Sequence, residues 1–223
     1  MYTNIIDESL DFLKENTKGK RATLSFSHQN EDVIIIDLLQ IAGIEFDTFT
    51  LDTHKLFEES KKYQKAVEEF FDIEIKSYSA PDSEIKTLEA SVGEFGIFDS
   101  VEKRKECCRV RKLVPLKEAL NGFDIWITGI RATQSATRKE FTFTEIDKKY
   151  NIVKLNPLVK WGSKDITKYM KMRKLPQNEL YSKKFTSIGC APCTRPIEKG
   201  EDERAGRWWW ENPEHKECGL HKR

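Results

Sequence analysis

The five cysteines of this 223-residue chain fall as an adjacent pair, Cys107-Cys108, a spaced pair in Cys190-Ala191-Pro192-Cys193, and a lone Cys218 near the end. An odd count excludes a complete disulfide framework, and in a reducing compartment the thiols stay free for metal binding or nucleophilic work. The two pairs could bind zinc, hold an iron-sulfur cluster, form disulfides or do nothing. Adjacency separates the first two. Neighbouring thiolates reach one small ion only with backbone strain, whereas a cubane offers each thiolate its own iron. A cluster therefore ranks above zinc. Two buried free cysteines beside an unrelated Cys-x-x-Cys redox pair rank below the cluster as well. Cys218, next to Gly219 and close to His221, has the access and the adaptable backbone of a nucleophilic thiolate, the alternative being an incidental surface cysteine.

Cations accompany these thiols. Lys103 to Lys112 holds six basic side chains against one acidic, and Arg109 and Lys112 lie one helical turn apart beside the first pair. Such a run is ordinarily a solvated helix face, but here it surrounds thiolates that need compensating charge. Arg131 and Arg138, in Thr128 to Arg138, are candidates for an oxyanion, because a guanidinium fork matches phosphate or sulfate geometry. The competing reading is that an arginine there bridges carboxylates. Ser25 to Asp32 sits where a first-strand phosphate loop would be, yet it contains no glycine, so an ordinary loop and helix cap is favoured, with His28 a surface histidine. Trp208, Trp209 and Trp210 read as packing anchors for an irregular tail rather than a base-stacking platform.

The elements that must position these groups alternate. Ile6, Leu10 and Leu13 mark a first helix closed by Gly19. Ala22 to Ser27 reads as a buried strand, Glu31 to Ala42 as an apolar helix, and Ile44 to Leu51 as a second strand. Lys55 to Phe70 is a helix with Leu56, Tyr63, Val67 and Phe70 on one face. Ile73 to Tyr78, Asp124 to Thr128 and Ile152 to Leu155 are further strands, and Ser163 to Lys174 is a helix stopped before Pro176. Strands separated by long helices predict crossover units and a parallel sheet flanked by helices, with ligands at the carboxyl ends of its strands. The expected division is a nucleotide-binding α/β domain over 1–175 and an irregular C-terminal segment over 176–223, held by ligands, carrying cluster-binding cysteines and a mobile catalytic tail.

Composition narrows the partners. The formal net charge is +1, but residues 1–102 carry 10 basic and 22 acidic side chains while 103–223 carry 28 and 15. The near-neutral total argues against coating nucleic acid or an acidic membrane, and the asymmetry points to something small and anionic. No apolar run approaches the ~18 residues that would span a bilayer, and the amphipathic, acidic opening is unlike a signal peptide. A cytoplasmic protein is expected, with no membrane and no nucleic-acid partner.

Taken together, Cys107-Cys108, Gly129-Ile130-Arg131, Gln134-Ser135, Thr137-Arg138, Ser187 to Arg195, Gly200-Glu201-Asp202 and Glu217 to His221 closely resemble the assimilatory adenylyl-sulfate reductases of the PAPS/APS reductase family. The resemblance implies an adenine-nucleotide alpha hydrolase-like fold and a 4Fe-4S cluster on Cys107, Cys108, Cys190 and Cys193. It implies Cys218 as nucleophile with His221 close by. Lys112, Arg138, Arg204 and Arg207 would grip the phosphosulfate, within a substrate set that includes Ser25, Ser27, Asp32, Leu51, Gly129 and Arg131. The reaction would reduce adenosine 5′-phosphosulfate to sulfite and AMP through a cysteine S-sulfonate, with thioredoxin as reductant and a homo-oligomer as the expected assembly. Relatives usually carry Ser-Gly-Ala-Glu-Asp in the first loop, a glycine after the threonine of Leu51-Asp52-Thr53-His54, and Gly-Tyr-Pro before Ser187. This chain departs at all three. Rival readings are a 3′-phosphoadenylyl-sulfate or dual-substrate reductase, whose restricted members generally lack the cysteine pairs, and an iron-sulfur RNA-thiolating enzyme, which predicts an ATP loop absent here. A non-enzymatic zinc or nucleic-acid module is disfavoured by the lone reactive cysteine.

Overall fold

The computed structural model describes residues 2–135, 138–212, 215–216 and 219–220. Among these, β1 (Ala22–Ser25), β2 (Asp47–Leu51), β3 (Ile75–Tyr78), β4 (Ile125–Ile127), β5 (Thr144–Asp147) and β6 (Ile152–Leu155) form one sheet in the order β3-β2-β1-β4-β6-β5. Every neighbouring pair is parallel except β5 with β6. The sheet is the helix-flanked, mostly parallel one expected, with one antiparallel edge strand added. The central strand β4 is an uninterrupted apolar run, as a sheet covered on both faces favours: its Ile125, Trp126 and Ile127 are all buried. The chain steps outward from β1 to β3 and then returns to lay β4 on the other side of β1. That reversal opens a crevice at the carboxyl ends of β1 and β4.

Among the described residues, seven helices surround the sheet: α1 (Tyr2–Thr17), α2 (Asn30–Ile41), α3 (Glu58–Phe71), α4 (Asp82–Val92), α5 (Val101–Cys108), α6 (Val114–Ala119) and α7 (Ser163–Arg173). α2 is buried at every position from Asn30 to Leu39, so it is a central helix with no solvent face. Its Ile34 and Leu38 join Leu24, Val67, Ile127 and Trp161 in the main core. On α3 the buried stripe is Tyr63, Val67 and Phe71, while Phe70 stands exposed. The expected stripe was thus offset at its end, because i, i+4, i+8 from Tyr63 reaches the second phenylalanine.

α5 and α6 are joined by a π-helical turn over Arg109–Leu113, directly after Cys107-Cys108. Pro115 explains it. In an α-helix its nitrogen would face the carbonyl of Arg111 with no hydrogen to donate and a ring in the way. The wider turn, with the Val114 N–H bonded back to the Arg109 carbonyl, makes room.

Beyond α7 the described chain holds only 3-10 turns, at Glu179–Lys183 and Ala191–Cys193, and a single bridge between Thr194 and Arg207. It is nevertheless well anchored. Cys190, Cys193 and Trp208 share a buried cluster with Ile85, Leu88 and Val92 of α4 and with Cys108 and Val110. Among the described residues, no helix is long and apolar enough to cross a membrane.

Candidate active site

The crevice at the switch point is a cavity lined by Ser25, Ser27, Asp32, Leu51 and Gly129 from the strand ends and their loops. Lys112 enters from the π-helical turn, Arg138 from the segment after β4, and Arg204 and Arg207 from the C-terminal segment. The structure therefore brings together nine of the ten expected substrate residues. Phe49, Leu116 and Trp126 give the floor an apolar surface beside these cations, the combination a nucleotide with one flat base and a charged tail would need.

Arg131 is the exception. Its side chain is 1% exposed, and its Nε donates to Glu31 Oε1 at 2.7 Å while Nη2 donates to Glu203. Nη1 donates to Thr133 Oγ1 at 3.0 Å. The carboxylate-bridging alternative is the one that the fold adopts, and the guanidinium has no edge left for a substrate anion. Its two carboxylate partners lie far away in sequence, so nothing local signals the bridge. Gln134 continues the chain of contacts, donating from Nε2 to Glu31 and accepting from Arg138 Nη1. Gln134 thus links the buried bridge to a cation of the cavity.

The loop after β1 spends its amides internally. Asp32 Oδ2 accepts from the backbone N–H of Ser27 and of Gln29 and from the Ser27 hydroxyl, while the Asn30 N–H donates to the Tyr181 hydroxyl. In a phosphate loop such donors would face the ligand. Asp32 organises the loop, and burial pushes its carboxyl up to about 7. Gly129 faces this turn closely: a Cβ there would stand 2.8 Å from Glu31 Cβ and 2.9 Å from Asp32 Oδ1. His28 is buried rather than on the surface, in the left-handed region at φ 66°, with burial lowering its pKa to about 4. His54 also takes a left-handed conformation, at φ 55°. Both histidines occupy backbone geometry that glycine adopts without cost.

A second cavity adjoins the first. All four paired cysteines line it, together with Lys55, Arg104, Arg111 and Lys112. Lys112 and Cys190 line both cavities. Four other cations of the basic run are in ion pairs: Lys103 pairs with Asp99, Arg104 is fully buried against Glu211, Arg109 pairs with Glu106 on the surface, and Arg111 donates to the Thr53 carbonyl and Glu89. Burial opposes ionisation of Cys190, yet Lys112, the Thr53 hydroxyl at 3.2 Å, Arg207 and Arg111 hold its pKa below the ordinary thiol value. Burial and then the Cys190 charge push Cys193 up to about 12, and the same causes raise Cys107.

These observations test whether an iron-sulfur cluster suits the site. The thiols meet around a cavity, and among the described residues no three His, Cys, Asp or Glu side chains are gathered to hold a single metal ion. A charge on Cys190 opposes ionisation of Cys107 and Cys193, a conflict that a cationic group between them removes. Two buried donors, Arg111 Nε and Trp208 Nε1, have no acceptor, and Trp208 packs in the same buried cluster as Cys108, Cys190 and Cys193. A group rich in sulfur acceptors would satisfy such donors. The residues present fit a cluster.

Sequence reasoning placed Thr53, Gln134, Gly189 and Gln29 only within motifs and assigned them no role in the site. Thr53 meets Cys190 and Gln134 meets Glu31, both distant in the chain, while Gly189 is explained by Arg207, whose Nη2 would lie 2.3 Å from a Cβ at that position. Trp208 is indeed a buried anchor, 1% exposed between the guanidinium groups of Arg104 and Arg207. Trp209 is exposed and stacks edge-on against Trp210. Cys218 and His221, the expected nucleophile and its neighbour, lie outside the described residues, as does Thr137. Leu220, two residues beyond Cys218, lines the first cavity.

Comparison with known proteins accords with this geometry. The family model described as the phosphoadenosine phosphosulfate reductase domain matches residues 21–196. Adenosine 5′-phosphosulfate reductase of Allochromatium vinosum is 44% identical over 193 residues, covering 86% of this chain and 75% of the relative. The enzyme of the same name from Neisseria meningitidis serogroup A is 45% identical over 193 residues, covering 86% and 79%. Among solved structures, the phosphoadenylyl-sulfate reductase of Candida auris superposes with a TM-score of 0.72 at 17% identity, over 87% of this chain and 96% of that one, which speaks to the fold alone. With a family match over most of its length and relatives this similar, the chain belongs to the phosphoadenosine phosphosulfate reductase family.

Proposed function

We propose that this protein reduces adenosine 5′-phosphosulfate to sulfite and AMP in sulfate assimilation, with thioredoxin as the electron donor, as a cytoplasmic homo-oligomer. One observation carries the reading: a cation-lined cavity at the switch point shares Lys112 and Cys190 with a cavity lined by four cysteines. The relatives' printed names and the two cysteine pairs favour the unphosphorylated nucleotide over its 3′-phosphorylated form.

In this mechanism the phosphosulfate is held by Lys112, Arg138, Arg204 and Arg207. The Cys218 thiolate attacks the sulfur of the sulfate group. A sulfur–sulfur bond forms as the bond from sulfur to the bridging oxygen breaks, and AMP leaves with that electron pair. The cations stabilise the charge growing on the departing phosphate, and His221 is assigned beside the nucleophile. A thioredoxin thiolate then attacks Cys218 Sγ and expels sulfite, and the second thioredoxin thiol closes a disulfide to free Cys218. The adenosine would rest on the apolar floor near Leu51. A 4Fe-4S cluster on Cys107, Cys108, Cys190 and Cys193 would supply scaffold and local field, not electrons.

Purified protein should be brown, and it should release sulfite from adenosine 5′-phosphosulfate faster than from the 3′-phosphorylated nucleotide when thioredoxin is present. Cys218→Ser should stop turnover and keep the iron. A colourless zinc protein, or a Cys218→Ser variant that still turns over, would sink the reading.

A further inference from the structure

Gln29 lies in the loop after β1, and its side chain reaches the C-terminal segment. Its amide pairs with one residue at both ends: Nε2 donates to the Ile188 carbonyl, and Oε1 accepts from the Ile188 N–H at 3.2 Å. The Tyr181 hydroxyl donates to the same Oε1 at 3.3 Å. A side-chain amide bonded in this way acts as one more rung of backbone pairing across two segments that no strand connects.

The Ile188 carbonyl also accepts from Arg207 Nη1 at 2.9 Å, so Gln29 and Arg207 share an acceptor. The next residue, Gly189, lies so close beneath the Arg207 guanidinium that a Cβ would stand 2.3 Å from Nη2. Arg207 Nε is buried without an acceptor. The orientation of this guanidinium therefore rests on the Ile188 carbonyl, the bare Gly189 surface and the Trp208 ring, 4.6 Å from its central carbon. Gln29 holds the first of these supports with its Nε2, and the N–H of the same residue with its Oε1.

We infer that Gln29 is a positioning residue for the phosphosulfate site: it fixes the Ile188 peptide groups, and the Ile188 carbonyl in turn aims Arg207 into the cavity. The inference rests on the assignment of Arg207 to the phosphosulfate. It makes the loop after β1 a brace for a cation contributed by the far end of the chain.

The test uses the full chain with its iron. Gln29→Met keeps the length of the side chain and removes both hydrogen bonds. It should raise KM for adenosine 5′-phosphosulfate about tenfold, the effect of losing well-formed hydrogen bonds, with kcat changed much less. Gln29→Glu can still accept from the Ile188 N–H but, as a carboxylate, has nothing to donate to the carbonyl. It should be no better than Gln29→Met. In an Arg207→Ala background, Gln29→Met should add almost nothing, since residues acting through one another are non-additive. Recovery of the parental KM by Gln29→Glu, or a full additional tenfold loss in the Arg207→Ala background, overturns the inference while leaving Arg207 in its role. A parental KM in Arg207→Ala alone overturns the assignment of Arg207 on which the inference stands.

Discussion

Replacing Arg131 separates the two roles open to it more sharply than any other substitution. In Arg131→Met the aliphatic stem keeps most of its packing, but Glu31 and Glu203 lose the guanidinium between them. Glu31, whose side chain is 5% exposed, keeps only the Gln134 amide. Glu203, at 23%, keeps the Ser163 hydroxyl. Removing one partner of a buried ion pair costs about 3–5 kcal/mol, because the charge left behind is uncompensated. At ~2–4 °C per kcal/mol for a chain of this size, the melting temperature should fall by about 6–20 °C. Adding Glu203→Gln to Arg131→Met removes one of the two stranded charges and should recover part of that loss. Thermal melts and urea titrations of parent, single and double variants measure this directly, alongside KM for adenosine 5′-phosphosulfate. A stability change within about 0.5 kcal/mol, accompanied by a large rise in KM, would refute the bridge and return Arg131 to the substrate.

Further outcomes follow from the same geometry. His28 has a folded pKa of about 4 against an ordinary 6.5, so between those values the unfolded chain takes up a proton that the folded chain refuses. The His28 contribution to stability is lost as pH falls from about 6.5 to about 4, by up to about 3 kcal/mol, while Asp32, with its carboxyl raised to about 7, contributes with the opposite sign as pH falls over this range. His28→Gly, which also suits the left-handed backbone, should make stability rise more as pH falls through this range than it does in the parent, because of these two only the Asp32 contribution remains, as read by pH-dependent urea titrations. An unchanged slope would contradict the buried neutral imidazole. Gly189→Ala should fold with near-parental stability, because the clash is with a side-chain end, yet raise KM by displacing Arg207. A parental KM would show that Arg207 is not held by this surface. Cys193→Ser should lose iron and visible absorbance, and retention of both would contradict the ligand set.

How much of this was legible in the sequence depended on whether the determining contacts were local. β1, β4 and β6 announce themselves as short apolar runs, and the α1 and α7 boundaries follow from spacing and stop signals. β5 does not, because an edge strand pairs on one side only. Its Ile146 is 72% exposed, so no alternation marks it. α4 carried the helical spacing of Ile85, Leu88 and Val92, but its acidic surroundings masked a stripe that becomes meaningful only against the cysteine cluster. Lys112 was legible because it lies close in sequence to the thiols it serves. Arg131 was not, since its charge is claimed by Glu31 and Glu203, one on α2 and one in the C-terminal segment. The left-handed geometry at His28 and His54 was equally hidden, because the residue types give no sign of the turn that glycine usually makes there.

The central claim is that sulfur is transferred to Cys218 before any reductant acts. Incubating the iron-loaded protein with adenosine 5′-phosphosulfate in the absence of thioredoxin, then measuring intact mass and AMP, tests it most directly. The account predicts one equivalent of AMP and the mass of one sulfonate on the peptide containing Cys218, both lost in Cys218→Ser and the sulfonate discharged as sulfite when thioredoxin is added. AMP release without an adduct, an adduct on another cysteine, or no reaction until thioredoxin is present would contradict it.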